Sequence, residues 1–379
     1  MKILLLTEYF PHSSDCEVRG GIEARAFYVA RELARRHQVT VLCARLPDEP
    51  VEQEISGIMV RRCGPVRPYA QAGSKIARAG FVRASIGVGR EIAADLVDGY
   101  HYLSYLAAIH IGHARDIPRI ATFHDMWRGD WIKNFGLASG IIGEVTERYV
   151  LAHRWDRFIA NSEATRQKLL PVTNGTPVQV VYNGISVEDL ASIRAPGFDR
   201  PTICYVGRLV RYKRVDDLLR ALLVVREHVP DIQLKIVGSG PDSELFKALT
   251  VQLGLGNHVE FLGFVQKHRD VLEVMARSRV LCLPSAVEGF GMVIIEAMAC
   301  GTPVVASSLA PIREITHEGK GSLLFPCGEV DELAAKLTAL VTDDALHARC
   351  VVQARALASE YDWKPLAAKI ERIYEAVLS

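Results

Sequence analysis

Several features are scarce or missing in these 379 residues, and each absence closes off a class of function. No uncharged apolar stretch reaches the ~18 residues needed to span a bilayer as a helix. The first apolar run, residues 3–6, is too short for the core of a secretory signal. The eight cysteines (16, 43, 63, 204, 282, 300, 327 and 350) include no C-x-x-C pair. Several sit in apolar runs, as reduced core residues of a cytosolic protein do, and the Asn174-Gly175-Thr176 sequon is read as chance. Excess charge is missing too. There are 45 Lys and Arg against 44 Asp and Glu, far from the basic surplus of a nucleic-acid binder. The halves differ only mildly, with 23 cations and 19 acids over 1–185 and 22 and 25 over 186–379. There is no Asp-x-Asp pair to hold a divalent ion on a diphosphate, and no lysine in a pyridoxal-binding context. His110 and His113 form an H-x-x-H pair, but no third ligand follows at a spacing zinc would need, so they read as ordinary helix residues.

What is present is a two-domain α/β pattern. The length suits two domains of ordinary size, and a 49% hydrophobic composition fills two cores. A strand over 2–10, a polar loop with Gly20-Gly21, a helix over 22–36 and a strand over 39–43 make a βαβ opening. That unit implies a parallel sheet with a ligand crevice at the strands' carboxyl ends. Strands are expected again at 119–123, 157–160 and 178–182. Residues 186–200, with Pro196 and Gly197, break the periodicity and read as a linker between a domain over 1–185 and one over 201–363. The second opens on a strand at 202–206, repeats the βα rhythm, and is followed by a last helix over 364–379.

The second half is organised around residues 284–308. A strand at 280–283 feeds Glu288-Gly289-Phe290-Gly291, then an apolar helix over 292–299 that Gly301 ends, then another buried strand at 303–306. Glu296 is the one charge between Glu288 and Arg313, and a carboxylate on a helix apolar all round needs partners. The helix-start N–H groups near Gly291, Met292 and Val293 attract an anion. Two acids flanking a phosphate-sized hole suit a sugar–diphosphate–ribose ligand. The plainer alternative is a buried helix whose Glu296 pairs with a structural cation. Upstream, the strand at 202–206 runs into Gly207-Arg208, and Arg208 and Lys213 bring two cations to one loop. A generic basic surface loop is the alternative there.

The Glu288–Glu296 spacing, with Gly289-Phe290-Gly291 between, resembles the signature of retaining nucleotide-sugar glycosyltransferases of family 4 (group 1), which have the GT-B fold. The resemblance covers nearly the whole chain and is densest over 202–325. It implies two doubly wound Rossmann-like domains facing across a cleft, with the last helix returning to the first domain. It implies transfer of a hexosyl group from a nucleoside diphosphate sugar, UDP- or GDP-linked, with retention and with neither metal nor cofactor. The residues matching the family as catalytic are His124, Arg208, Lys213 and Glu288. Those matching its donor site are Gly21, Arg208, Lys213, Gly238, Val265, Glu288, Gly289, Phe290, Gly291, Met292, Val293 and Glu296. The family often has Gly after the loop lysine, where this chain has Arg214.

On the acceptor side, Gly20 and His124 match by position, and Trp127, Trp131 and Phe135 sit in a polar loop. Those aromatics could stack on a sugar, cover a lipid, or fold back into the core. Residues 61–90 hold Arg61, Arg62, Arg67, Lys75, Arg78, Arg83 and Arg90 and no acid, interleaved with Phe81, Val82 and Ile86. Such a run can lie on an anionic membrane, although its glycines argue against a strong helix. That reading gives a cytoplasmic enzyme, peripheral on the inner face of the membrane, with a lipid-linked or envelope-glycan acceptor. The alternatives are a solvated basic face and a soluble small-molecule transferase. An epimerase or phosphorylase on the same fold, or a non-catalytic sugar-nucleotide sensor, stands behind those.

Overall fold

Residues Ile3 to Leu6 are almost wholly buried, which a strand achieves only with helices on both faces of its sheet. Leaving water stabilises each by roughly 2 kcal/mol. The computed structural model describes residues 1–13, 20–69, 74–187, 190, 193 and 196–379. Cys16, part of the expected 186–200 linker and the side chain of Phe135 lie outside the described residues. The chain divides into two units, Met1–Asn183 together with Trp363–Ser379, and Gly184–Asp362.

In the first unit the strands are β1 (Lys2–Leu6), β2 (Gln38–Ala44), β3 (Glu52–Ile55), β4 (Ile58–Cys63), β5 (Leu96–Gly99), β6 (Arg119–Phe123), β7 (Arg157–Ala160) and β8 (Val178–Val180). They form one sheet in the order β3-β4-β2-β1-β5-β6-β7-β8, parallel except for β3 against β4. Its helices are α1 (Gly21–Ala34), α2 (Lys75–Glu91), α3 (Tyr102–Arg115), α4 (Trp131–Phe135), α5 (Leu137–Ala152) and α6 (Glu163–Leu169). Strand order reverses between β1 and β5, so the ligand crevice of such a sheet lies beyond those two strand ends.

The second unit is a six-stranded parallel sheet: β9 (Thr202–Val206), β10 (Gln233–Val237), β11 (Val259–Gly263), β12 (Val280–Leu283), β13 (Val304–Ser307) and β14 (Ser322–Phe325). Its helices are α7 (Val215–His228), α8 (Ser243–Gln252), α9 (His268–Arg277), α10 (Met292–Cys300), α11 (Ala310–Ile315), α12 (Val330–Thr342) and α13 (Asp344–Ala358). The order β11-β10-β9-β12-β13-β14 puts the reversal between β9 and β12. The closing helix α14 (Trp363–Leu378) belongs to the first unit. There Trp363 stacks on Tyr28 of α1 at 5.8 Å, and Glu371 takes Arg36 at 2.6 Å and His37 at 2.7 Å. Tyr374 donates to the fully buried Asp98 at 2.6 Å.

Two expectations about residues 61–90 give way. The stretch holds a firm helix, α2, capped by Ser74, whose hydroxyl accepts from the Ala77 N–H at 3.3 Å. One of its glycines serves packing: a Cβ on Gly89 would lie 2.3 Å from Ile111 Cδ1 of α3, so a larger residue would force that side chain to move. The run is also free of acid in sequence but not in space. Arg62 pairs with Glu49 at 2.6 Å, Arg61 with Glu52 at 3.0 Å, and Arg67 and Arg78 both reach Glu8 at 2.9 and 3.1 Å. Lys75, Arg83 and Arg90 stay exposed.

Candidate active site

Near the reversal in the second unit, two glycines let backbone close on backbone. A Cβ on Gly238, after β10, would lie 1.9 Å from the Gly207 carbonyl oxygen, and the Gly238 N–H donates to Gly263 at 2.7 Å. A Cβ on Gly240 would lie 2.2 Å from the Leu209 oxygen. The ends of strands β9, β10 and β11 are thus stitched together backbone to backbone. Val265 is half-buried just past β11.

The loop after β9 meets the loop after β12. Lys213 Nζ lies 2.5 Å from Glu288 Oε1, and Ser285 Oγ donates to the same oxygen at 2.8 Å. The Ala286 N–H donates to the Tyr212 carbonyl at 2.8 Å, locking the loops backbone to backbone. Arg208 is half-buried at the start of its loop, where its carbonyl accepts from the Tyr205 hydroxyl at 2.9 Å. Arg214 takes the left-handed conformation at φ 52° and pairs with Asp217 at 2.5 Å, so it serves the start of α7.

Gly291, at φ 95°, turns the chain into α10, whose first-turn N–H groups at Met292 and Val293 have no acceptor within the helix. Phe290 points away from this loop. Its ring is buried against Tyr361 at 6.1 Å, so only its backbone and that of Gly289 can meet a ligand. Glu296 is buried one turn into α10, with His268 Nε2 3.4 Å from its Oε1. Lys213 and Glu288 therefore meet at the switch point, with Arg208 on the same loop as Lys213 and Glu296 on the helix that follows Glu288. That set can neutralise a diphosphate and accept hydrogen bonds from a polyol.

The first unit's switch point holds a cluster that reading the sequence did not find. Glu8, just past β1, is buried between Arg67 and Arg78, with His101 Nδ1 3.6 Å from its other oxygen. Arg78 also donates to the Tyr102 hydroxyl at 3.0 Å. Burial pushes the His101 imidazole down to about 4, so it is neutral near pH 7. Glu8 could have been flagged as an acid at a strand's carboxyl end. Its partners lie 59 and 70 residues away, and nothing local announces them.

Gly20 caps α1 in extended conformation and Gly21 opens the helix. His124 follows β6. Its Nε2 is buried without a partner, and burial, helped by Arg25 and His101, holds it well below the usual imidazole range. Trp131 is a correction to the acceptor reading. It is buried, its Nε1 donates to Glu147 at 2.8 Å, and a Cβ on Gly143 would lie 2.3 Å from its ring. The indole therefore pins α4 to α5, and half-buried Trp127 donates its backbone N–H to the same Glu147 at 3.2 Å.

The pattern described as "Glycosyl transferases group 1" matches residues 190–357, and that of "Glycosyltransferase Family 4" matches 19–189. A phosphatidyl-myo-inositol mannosyltransferase of Mycobacterium leprae is 31% identical over 97% of this chain and 95% of its own. The chain belongs to the group 1 glycosyl transferases. The transferase also resembles two solved structures. Sucrose-phosphate synthase from Thermosynechococcus elongatus matches with a TM-score of 0.82 at 22% identity, over 99% of this chain and 98% of that one. Anabaena Alr3699/HepE, solved in complex with UDP and glucose, matches at 0.75 and 21%, over 99% of both. At those identities the likeness gives the transferase its fold, GT-B.

Proposed function

We propose that the transferase moves a hexosyl group from a nucleoside diphosphate sugar to a hydroxyl acceptor, with net retention of configuration. The observation that carries this is the Lys213–Glu288 contact at the β9/β12 switch point, beside Arg208 and the start of α10. Breaking the sugar–phosphate bond throws negative charge onto the diphosphate. Arg208, Lys213 and the α10 N–H groups stabilise that charge, so no divalent ion is required. Glu288 accepts from the sugar hydroxyls and Glu296 from the ribose diol. Retention follows the family pattern around Glu288 and Glu296.

UDP or GDP is the expected carrier, and the Anabaena complex with UDP and glucose supports the first. On the acceptor side the charged cluster around Glu8 suits a polyol or an anionic group, and the mycobacterial relative's name specifies phosphatidyl-myo-inositol. A lipid-linked polyol is therefore the acceptor class proposed here. Among the described residues no helix is long and apolar enough to cross a membrane. A thermal-shift screen of UDP- and GDP-sugars tests the donor reading. One nucleotide should raise the midpoint in wild type and not in Lys213→Ala, whereas no shift from any nucleotide would reject it.

A further inference from the structure

Helix α5 shows solvent an apolar face that its own unit leaves uncovered. Leu137, Ile141, Val145 and Tyr149 follow one another at i,i+4 and so share one side of the helix, with Ile142 beside them. Leu137 is 68% and Val145 61% exposed, and Ile132 of α4 extends the patch. The opposite side of α5 is satisfied: Val150 and Leu151 enter the core, and Glu147 is buried on Trp131. Large aliphatic residues grouped this way mark a surface that meets something apolar.

The charge around the patch says what. Arg128, Lys133 and Arg154 are exposed on these same segments, and Arg148 is paired with Glu144 at 2.8 Å. Among the acids on these segments, Glu147 is buried and Glu144 turns to Arg148 and the Gly129 N–H, which leaves Asp130 exposed. The same helical layer continues through α3 to α2, where Lys75, Arg83 and Arg90 are exposed. A symmetric contact between two copies would set cationic rim against cationic rim. An anionic bilayer satisfies both parts, with aliphatic side chains below the headgroups and Lys and Arg among them. We infer that the α4–α5 face of the transferase is a docking surface for an anionic lipid membrane, α5 lying in the interface plane.

Vesicle co-sedimentation at low salt tests this, using phosphatidylcholine with and without a minor fraction of phosphatidylglycerol. Wild type should bind the mixed vesicles. Leu137→Ser/Val145→Ser should bind at least about tenfold more weakly, because two aliphatic side chains no longer leave water. Lys133→Gln/Arg154→Gln should lose affinity several-fold, and the remaining binding should be less sensitive to salt. Both sites are exposed, so the thermal midpoint and circular dichroism spectrum should match wild type, and neither readout depends on the donor chemistry. Three results would overturn the inference: wild type ignoring the mixed vesicles, the Leu137/Val145 variant binding them as wild type does, or light scattering showing a dimer that this variant converts to monomer.

Discussion

Lys213 Nζ and Glu288 Oε1 stand 2.5 Å apart, joining the loop after β9 to the loop after β12 where the strand order reverses. Each side chain holds the other in place, and Ser285 Oγ donates to the same Glu288 oxygen at 2.8 Å. Lys213 is thus oriented and largely desolvated, the condition under which a charge would best stabilise the proposed diphosphate leaving group.

Removing either cation should therefore hurt chemistry more than stability. Arg208→Ala and Lys213→Ala should each cut transfer by about 100-fold or more. Their melting temperatures should stay close to wild type, since both residues lie outside the hydrophobic core. Near-normal turnover in both variants would put the diphosphate elsewhere.

The two acids should separate by parameter. Glu296→Gln, on α10 beside His268, should mainly weaken binding of the free nucleoside diphosphate. Glu288→Gln, on the sugar side, should mainly lower turnover. Titration calorimetry alongside steady-state kinetics checks this, and equal losses of nucleotide affinity would reject the division of labour.

Chelation should leave activity intact, because Arg208 and Lys213 are proposed to do a divalent ion's electrostatic work. The check is turnover in excess EDTA before and after adding Mg²⁺ or Mn²⁺. Loss with EDTA and recovery with metal would contradict it.

Stability should carry a pH signature from Asp98. Burial raises this carboxyl to about 7, opposed by hydrogen bonds from Tyr374 and Thr122 and by the charge of Arg25. Because the folded value lies above the unfolded one of ~3.9, the contribution is full below about pH 4 and is lost as pH rises through about 7. Asp98→Asn keeps an acceptor oxygen and cannot ionise. Its melting temperature relative to wild type should climb between about pH 4 and about pH 7 and then level off. A difference that is flat with pH would show that Asp98 does not titrate in this range.

Much of the second unit was legible because its strands are short, mostly apolar and followed by glycine or proline. Residues 202–206, 233–237 and 280–283 are strands as read, and 215–228 is a helix as read. The Glu288–Glu296 spacing was visible because both acids lie in one continuous segment. What escaped depended on distance or on weak local signal. The β3–β4 hairpin turns at Ser56-Gly57, both at positive φ, but the charged Glu52 and Glu54 hid the alternation of its first strand. The ion pairs of Arg62, Arg67 and Arg78 involve acids outside the run, so part of a run that looked free of acid was already partnered. Trp131 was ambiguous for the same reason, since its partner Glu147 lies a helix away.

Release of nucleoside diphosphate from UDP- and GDP-sugars without acceptor, compared between wild type and Lys213→Ala, tests the central claim most directly. Slow release from at least one donor by wild type, falling about 100-fold in Lys213→Ala, is the predicted result. Equal release by the two proteins would contradict a diphosphate site at the Lys213–Glu288 contact, and so would no release from any donor.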